Sequence, residues 1–100
     1  KVLVCDDGLK LKKVITGFTS PRYILQTGNS KAYVSDLYAN KISIVDLNKC
    51  SIIGSIPCSG WTEQMILLYN KVFVTCLRSS YLRVIDPILN TIIDILPLFA

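Results

Sequence analysis

The sequence predicts an all-β protein made of four-stranded antiparallel sheets, and three observations lead there. The 100 residues carry an internal repeat: displaced by 40 positions, residues 31–57 lie over 71–97 without a gap. Seven of the overlaid pairs are identical, namely Lys31/Lys71, Val34/Val74, Leu37/Leu77, Asp46/Asp86, Ile52/Ile92, Ile53/Ile93 and Pro57/Pro97. Within each copy, short runs rich in Val, Ile, Tyr and Phe alternate with turn residues. No segment sustains a helical period over several turns, so no helix is expected. Four strands in a unit of about 40 residues is the pattern of a β-propeller blade.

At the amino terminus, Lys1-Val2-Leu3-Val4-Cys5-Asp6 lies over Lys41-Ile42-Ser43-Ile44-Val45-Asp46 at the same displacement. Residues 1–17 therefore read as the second half of a blade, 18–57 as a complete blade and 58–100 as another, all parts of one larger, incomplete propeller domain. Asp6-Asp7-Gly8 reads as a turn. The second copy supplies strands at Arg22–Gln26, Lys31–Ser35, Lys41–Asp46 and Ser51–Ile56, joined by Gly28-Asn29-Ser30, Tyr38-Ala39-Asn40 and Leu47-Asn48-Lys49. In the third, Glu63–Leu68, Lys71–Thr75, Tyr81–Asp86 and Thr91–Leu96 are strands, joined by Tyr69-Asn70, Arg78-Ser79-Ser80 and Pro87-Ile88-Leu89-Asn90. Asp46 and Asp86 each end a third strand and are expected to cap the following turn by accepting backbone N–H bonds.

This architecture accounts for the composition. At 51% hydrophobic and 18% charged the chain is too apolar to stay disordered. Its longest apolar stretch, Ile92 to Ala100, is broken by Asp94 and Pro97, far short of the ~20 residues of a spanning helix. Blades are buried on both faces, which removes polar alternation from central strands such as Ile42-Ser43-Ile44-Val45. Both terminal blades then offer a face meant for a neighbour, so the expected partners are the remaining blades of the same protein or other copies of the chain. The chain opens on Lys1, which suggests a natural start further upstream and leaves export unreadable from this end.

Histidine is absent, which removes Ser-His-Asp and Cys-His catalysis and His-ligated zinc from within these residues. No catalytic residue, metal site or cofactor is assigned. The net charge of +4 is modest and the basic residues are scattered apart from Lys10, Lys12 and Lys13, which read as a solvated strand face; nucleic acid is not an expected partner. Cys5, Cys50, Cys58 and Cys76 show no CxxC spacing and read as small hydrophobes. Cys50 and Cys58 bracket a strand and would sit roughly 25 Å apart at ~3.3 Å per residue, too far for a disulfide.

In a propeller, the loops between blades and those between second and third strands gather on one face around the channel. Here they are 18–23, 36–40, 59–64 and 77–81, and they hold the only tryptophan, the only glutamate and two of the three arginines. The candidate ligand-binding residues are Arg22, Tyr23, Tyr38, Trp61, Glu63, Arg78 and Tyr81. Aromatic and arginine groups on loops suit a large, flat, partly polar ligand or a protein partner. The competing reading, channel plugging and local hydrogen bonding, stands open for Trp61, Arg78 and Tyr38 and is the favoured one for Tyr23 and Gln64.

The segments Lys31-Ala32-Tyr33-Val34-Ser35-Asp36, Asn40-Lys41-Ile42-Ser43-Ile44-Val45-Asp46 and Ser51-Ile52-Ile53-Gly54-Ser55-Ile56-Pro57 resemble the YVTN-type propeller repeat, and Ser20-Pro21-Arg22-Tyr23-Ile24 and Trp61-Thr62-Glu63-Gln64-Met65 are similar to the blade starts of YncE-like cell-envelope proteins of the Bacteroidetes. The third copy departs from the pattern, with Phe73-Val74-Thr75-Cys76 and with Pro87 after Asp86. The resemblance implies an exported, periplasmic or cell-surface location and a non-enzymatic binding role. Some such proteins are lipoproteins that capture corrinoids and pass them to an outer-membrane transporter; others are surface-layer proteins. Two alternatives remain: a propeller enzyme of lactonase or quinoprotein type whose catalytic residues lie elsewhere, since only Asp36 and Glu63 are carboxylates near this face, and a structural surface-layer protein.

Overall fold

The computed structural model describes residues 2–5, 8, 11–76, 78 and 80–97. Every regular element among them is a strand: β1 (Val2–Cys5), β2 (Leu11–Ile15), β3 (Pro21–Gln26), β4 (Lys31–Asp36), β5 (Lys41–Asp46), β6 (Ser51–Pro57), β7 (Thr62–Leu68), β8 (Lys71–Cys76), β9 (Tyr81–Asp86) and β10 (Thr91–Pro97). They form a two-stranded sheet β1-β2, a four-stranded sheet β3-β4-β5-β6 and a four-stranded sheet β7-β8-β9-β10, with every pairing antiparallel. Asp6, Asp7, Lys10, Leu77 and Ser79, which fall in predicted turns or in the basic run, lie outside the described residues.

The turns form where the local chemistry favours them. Asn40, Asn70 and Asn90 each precede a strand in the left-handed region, at φ 55°, 59° and 55°. Asparagine tolerates that conformation because its short side chain bonds locally. Cys50 holds the same position at φ 52°, with its thiol donating to the Leu47 carbonyl at 3.4 Å. Asp46 Oδ1 accepts the N–H groups of Asn48 and Lys49, and Asp86 Oδ1 those of Ile88 and Leu89, as the capping argument requires. The two hydrogen bonds hold the Asp86 carboxyl below the usual carboxylate range, those bonds stabilising its charged form.

The sheets stack face to face, and alternation sorts their side chains. Tyr33, Ile42, Ile44 and Ile56 of the middle sheet meet Met65, Val72, Val74, Cys76 and Ile85 of the third in one core cluster. Val34 and Val45 point the other way and join Ile15 in a second cluster against the first sheet. The middle sheet is therefore buried on both faces, and β4 and β5 carry unbroken buried runs. Ser43, 0% exposed in the middle of β5, has no partner for its hydroxyl among the described residues.

The middle and third sheets approach most closely at β3, β4 and β7, leaving β6 and β10 at the splayed edge. The strand order thus runs from an inner strand outward in both sheets, as in propeller blades. On the third sheet the face turned away from the core carries Ile66, Leu68 and Leu96, all exposed, around half-buried Phe73 and Leu82. Cross-strand partners share a face, so these residues form one apolar surface.

Candidate ligand-binding face

The antiparallel order puts the 37–40 turn, the 58–61 linker and the turn before β9 at one end of the sheets. Register shows this directly, because Lys41 pairs with both Asp36 and Pro57, and Thr62 pairs with Cys76. Backbone bonds fasten the loops together: Cys58 N–H donates to the Asn40 carbonyl, Leu37 N–H to Ser20 and Arg78 N–H to Gly60.

Three predicted site residues meet here. The rings of Tyr38 and Trp61 pack edge to face with centroids 5.2 Å apart and planes at 88°. The Arg78 guanidinium lies 4.6 Å from the Trp61 ring centre, within cation–π range. Tyr38 and Arg78 are exposed and Trp61 is half-buried. Trp61 sits at φ 62°, directly after Gly60 at φ 94°. A bulky residue in the left-handed region costs on the order of 1–3 kcal/mol, and the packing on both sides of the indole holds it there.

Arg22 and Glu63 form a second contact, between the inner strands. Arg22 donates from Nε at 3.3 Å and from Nη2 at 3.2 Å to Glu63 Oε1. Beside it, Ser35 Oγ donates to the Glu63 carbonyl at 2.8 Å. The ion pair is largely solvated and contributes positioning more than stability.

Several expectations need correction. The strands expected from Arg22 and from Glu63 are present and begin one residue earlier, at Pro21 and Thr62, so Arg22, Tyr23, Glu63 and Gln64 belong to those strands and not to the loops 18–23 and 59–64. Register irregularities between Pro21 and Tyr23 and between Thr62 and Met65 let these segments pair despite their loop-like composition. Tyr23 does not join the Trp61 group. It lines a concavity of about 260 Å³ with Gln64, Met65, Ile66, Phe73, Thr75 and Leu82, most of them on the third sheet. Tyr81 is half-exposed at the first position of β9, paired with Pro97.

Asp36, which stood with Glu63 as a carboxylate near this face, is 0% exposed. Its oxygens accept the Thr19 N–H at 2.9 Å and the Ser20 N–H at 2.6 Å, latching the linker before β3 to the end of β4. Both carboxylates at this end thus have structural partners. Among the described residues no group of three His, Cys, Asp or Glu side chains is placed to hold a metal.

No protein-family model matches the chain, and no curated protein matches it. In fold the chain is similar to the hydrazine synthase of Kuenenia stuttgartiensis, a β-propeller-containing protein, with a TM-score of 0.69 at 17% identity over 84% of this chain. The chain spans 25% of the length of that one. The two four-stranded sheets are therefore β-propeller blades, and the likeness extends to fold alone.

Proposed function

We propose that the chain is part of a non-enzymatic β-propeller that binds a large, flat, partly polar ligand or a protein partner on the face built by the 37–40 and 58–61 segments with Arg78. The observation that carries this is the Tyr38–Trp61–Arg78 group, two rings and a guanidinium presented together at a strained linker. Exposed Tyr38 and Arg78 leave contact area on both sides of the indole, and such groups bind at low entropic cost. Fold by itself does not name a ligand. The resemblance to YVTN-repeat and YncE-like proteins supports an exported, cell-envelope location and a corrinoid-like cofactor as the first ligand class to test, with an outer-membrane transporter as the partner receiving it. In this reading residues 1–17, 18–57 and 58–100 are successive arcs of one domain, completed by further blades.

The test is calorimetric titration of the protein with cyanocobalamin, followed in parallel by fluorescence of its one tryptophan. Saturable binding, weakened at least tenfold in Arg78→Ala and in Trp61→Asn, which keeps a residue suited to the left-handed backbone, supports the reading. No heat and no quenching would remove corrinoid capture. Hydrolysis of a lactone by the same preparation would favour the enzyme alternative.

A further inference from the structure

The structure brings together two cysteines that their spacing keeps apart in the sequence. Cys58 lies in the linker before β7 and Cys76 ends β8, both within the core between the middle and third sheets, 2% and 8% exposed. Both belong to the same core cluster, where each thiol perturbs the other's titration more than any other group does. Arg83 of β9 donates from Nη1 to Cys76 Sγ at 3.3 Å. Cys50 stands apart from this pair, on the opposite core cluster.

The repeat shows what the contact does. Cys76 occupies the position of Asp36 and Cys58 that of Phe18 at the displacement of 40 residues. In the middle sheet Asp36 ties the preceding linker to the second strand through the Thr19 and Ser20 N–H groups. In the third sheet the same junction, linker to second strand, is spanned by two sulfurs.

We propose that Cys58 and Cys76 are an oxidisable dithiol, which closes to a disulfide fastening the Trp61 linker to β8. The reaction is thiol–disulfide exchange with a low-molecular-weight disulfide. Cys76, as thiolate, attacks one sulfur of that disulfide, whose S–S bond breaks as the first small thiolate leaves. Cys58 gives its proton to that thiolate and attacks Cys76 Sγ, expelling the second small thiolate, which takes a proton from water. Two protein thiols lose two electrons in all, and one small disulfide is reduced to two thiols.

The roles follow from the surroundings. The neighbouring Cys58 and the Arg83 charge lower the Cys76 thiol against the opposing effect of burial, which makes Cys76 the thiol that ionises first. The neighbouring Cys76, with burial, pushes Cys58 up, making it the proton donor and the resolving thiol. Arg83 is the one cation facing the pair from β9.

The test uses Cys50→Ser protein, because trypsin leaves Cys50 and Cys58 on one peptide, 50–71, and Cys76 on another, 72–78. The reduced protein is unfolded and refolded in oxidised and reduced glutathione, so that burial imposes no barrier, then alkylated and digested. The expected product is peptide 50–71 joined to 72–78 and lighter by two hydrogens. It disappears with dithiothreitol and never forms in Cys58→Ser or Cys76→Ser. Arg83→Leu should lower the rate at which folded protein closes at pH 7 by severalfold and restore it at higher pH, an effect a purely structural arginine would not produce. Both cysteines alkylated in full after refolding in excess oxidised glutathione, or Cys76 joined to glutathione or Cys5 in place of Cys58, would overturn the proposal.

Discussion

Tyr33 of β4 donates its hydroxyl to Asn90 Oδ1 at 2.6 Å, across the core from the middle sheet to the turn before β10. Lys31 Nζ donates to the same oxygen at 2.8 Å and also to the Pro87 carbonyl. Asn90 is placed for this by its left-handed backbone, and Tyr33 is 0% exposed. The three residues clamp neighbouring blades at the end opposite Trp61.

Removing one bond from this clamp should cost little and removing its hub more. Tyr33→Phe keeps the Lys31 bond to Asn90 and should lose about 1 kcal/mol. Asn90→Gly accepts the same φ but strips the Tyr33 hydroxyl of its partner inside the core, which should cost about 2–3 kcal/mol. Urea denaturation checks both; equal losses would contradict a shared acceptor.

The clamp also makes stability depend on alkaline pH. Burial, with the nearby Asp86 charge, raises the Tyr33 hydroxyl to about 12. Its folded value lies above the unfolded one near 10, so its contribution is complete below pH 10 and is lost as pH rises toward 12. The loss is about 2–3 kcal/mol at full titration. Burial lowers Lys31, against the opposing pull of Asp86, and this gives the opposite slope in the same region. Denaturant midpoints measured from pH 9 to 12 should fall in the parent and fall less in Tyr33→Phe. Parallel curves would show that Tyr33 is not the source.

Asp36→Ala leaves the Thr19 and Ser20 N–H groups without their acceptor and should cost about 2–3 kcal/mol. Amide exchange at residues 19 and 20 should accelerate, while exchange at β8 stays as in the parent. Unchanged exchange at the linker would mean that the carboxylate is not its latch.

Ser43 buries a hydroxyl that has no partner among the described residues. Ser43→Ala should therefore raise stability by about 1 kcal/mol, read as a higher denaturation midpoint at unchanged slope. A fall would reveal a hydrogen bond that this hydroxyl makes in solution.

The repeat made most of this fold legible, because strand positions recur where their cross-strand partners recur. The bounds of β5 and β9 are those expected, and β4, β6, β8 and β10 run one residue further at their carboxyl ends. The same repeat put Tyr38, Trp61 and Arg78 at one end, since a four-stranded meander sends these turns the same way. Arg22 and Glu63 read both as first residues of strands and as members of the adjoining loops, because proline and threonine beside them resemble linker; the structure resolves this in favour of the strands, each begun one residue earlier. Tyr23 misleads for the same reason. The Tyr33–Asn90 and Cys58–Cys76 contacts cross between strands or sheets at separations with no periodicity, so only the folded chain shows them. The Asp36/Cys76 correspondence was the available signal for the second: a repeat that replaces a buried acid with cysteine has changed how its linker is held.

The third sheet exposes an apolar face, Ile66, Leu68 and Leu96 around Phe73 and Leu82, which we propose is covered by a further blade or by another copy of the chain. Light scattering of the 100-residue chain in reducing buffer tests it most directly. The expected result is association well above 11.2 kDa, abolished by the double change Ile66→Lys and Leu96→Lys on that face. A folded, cooperatively unfolding monomer of 11.2 kDa would contradict it.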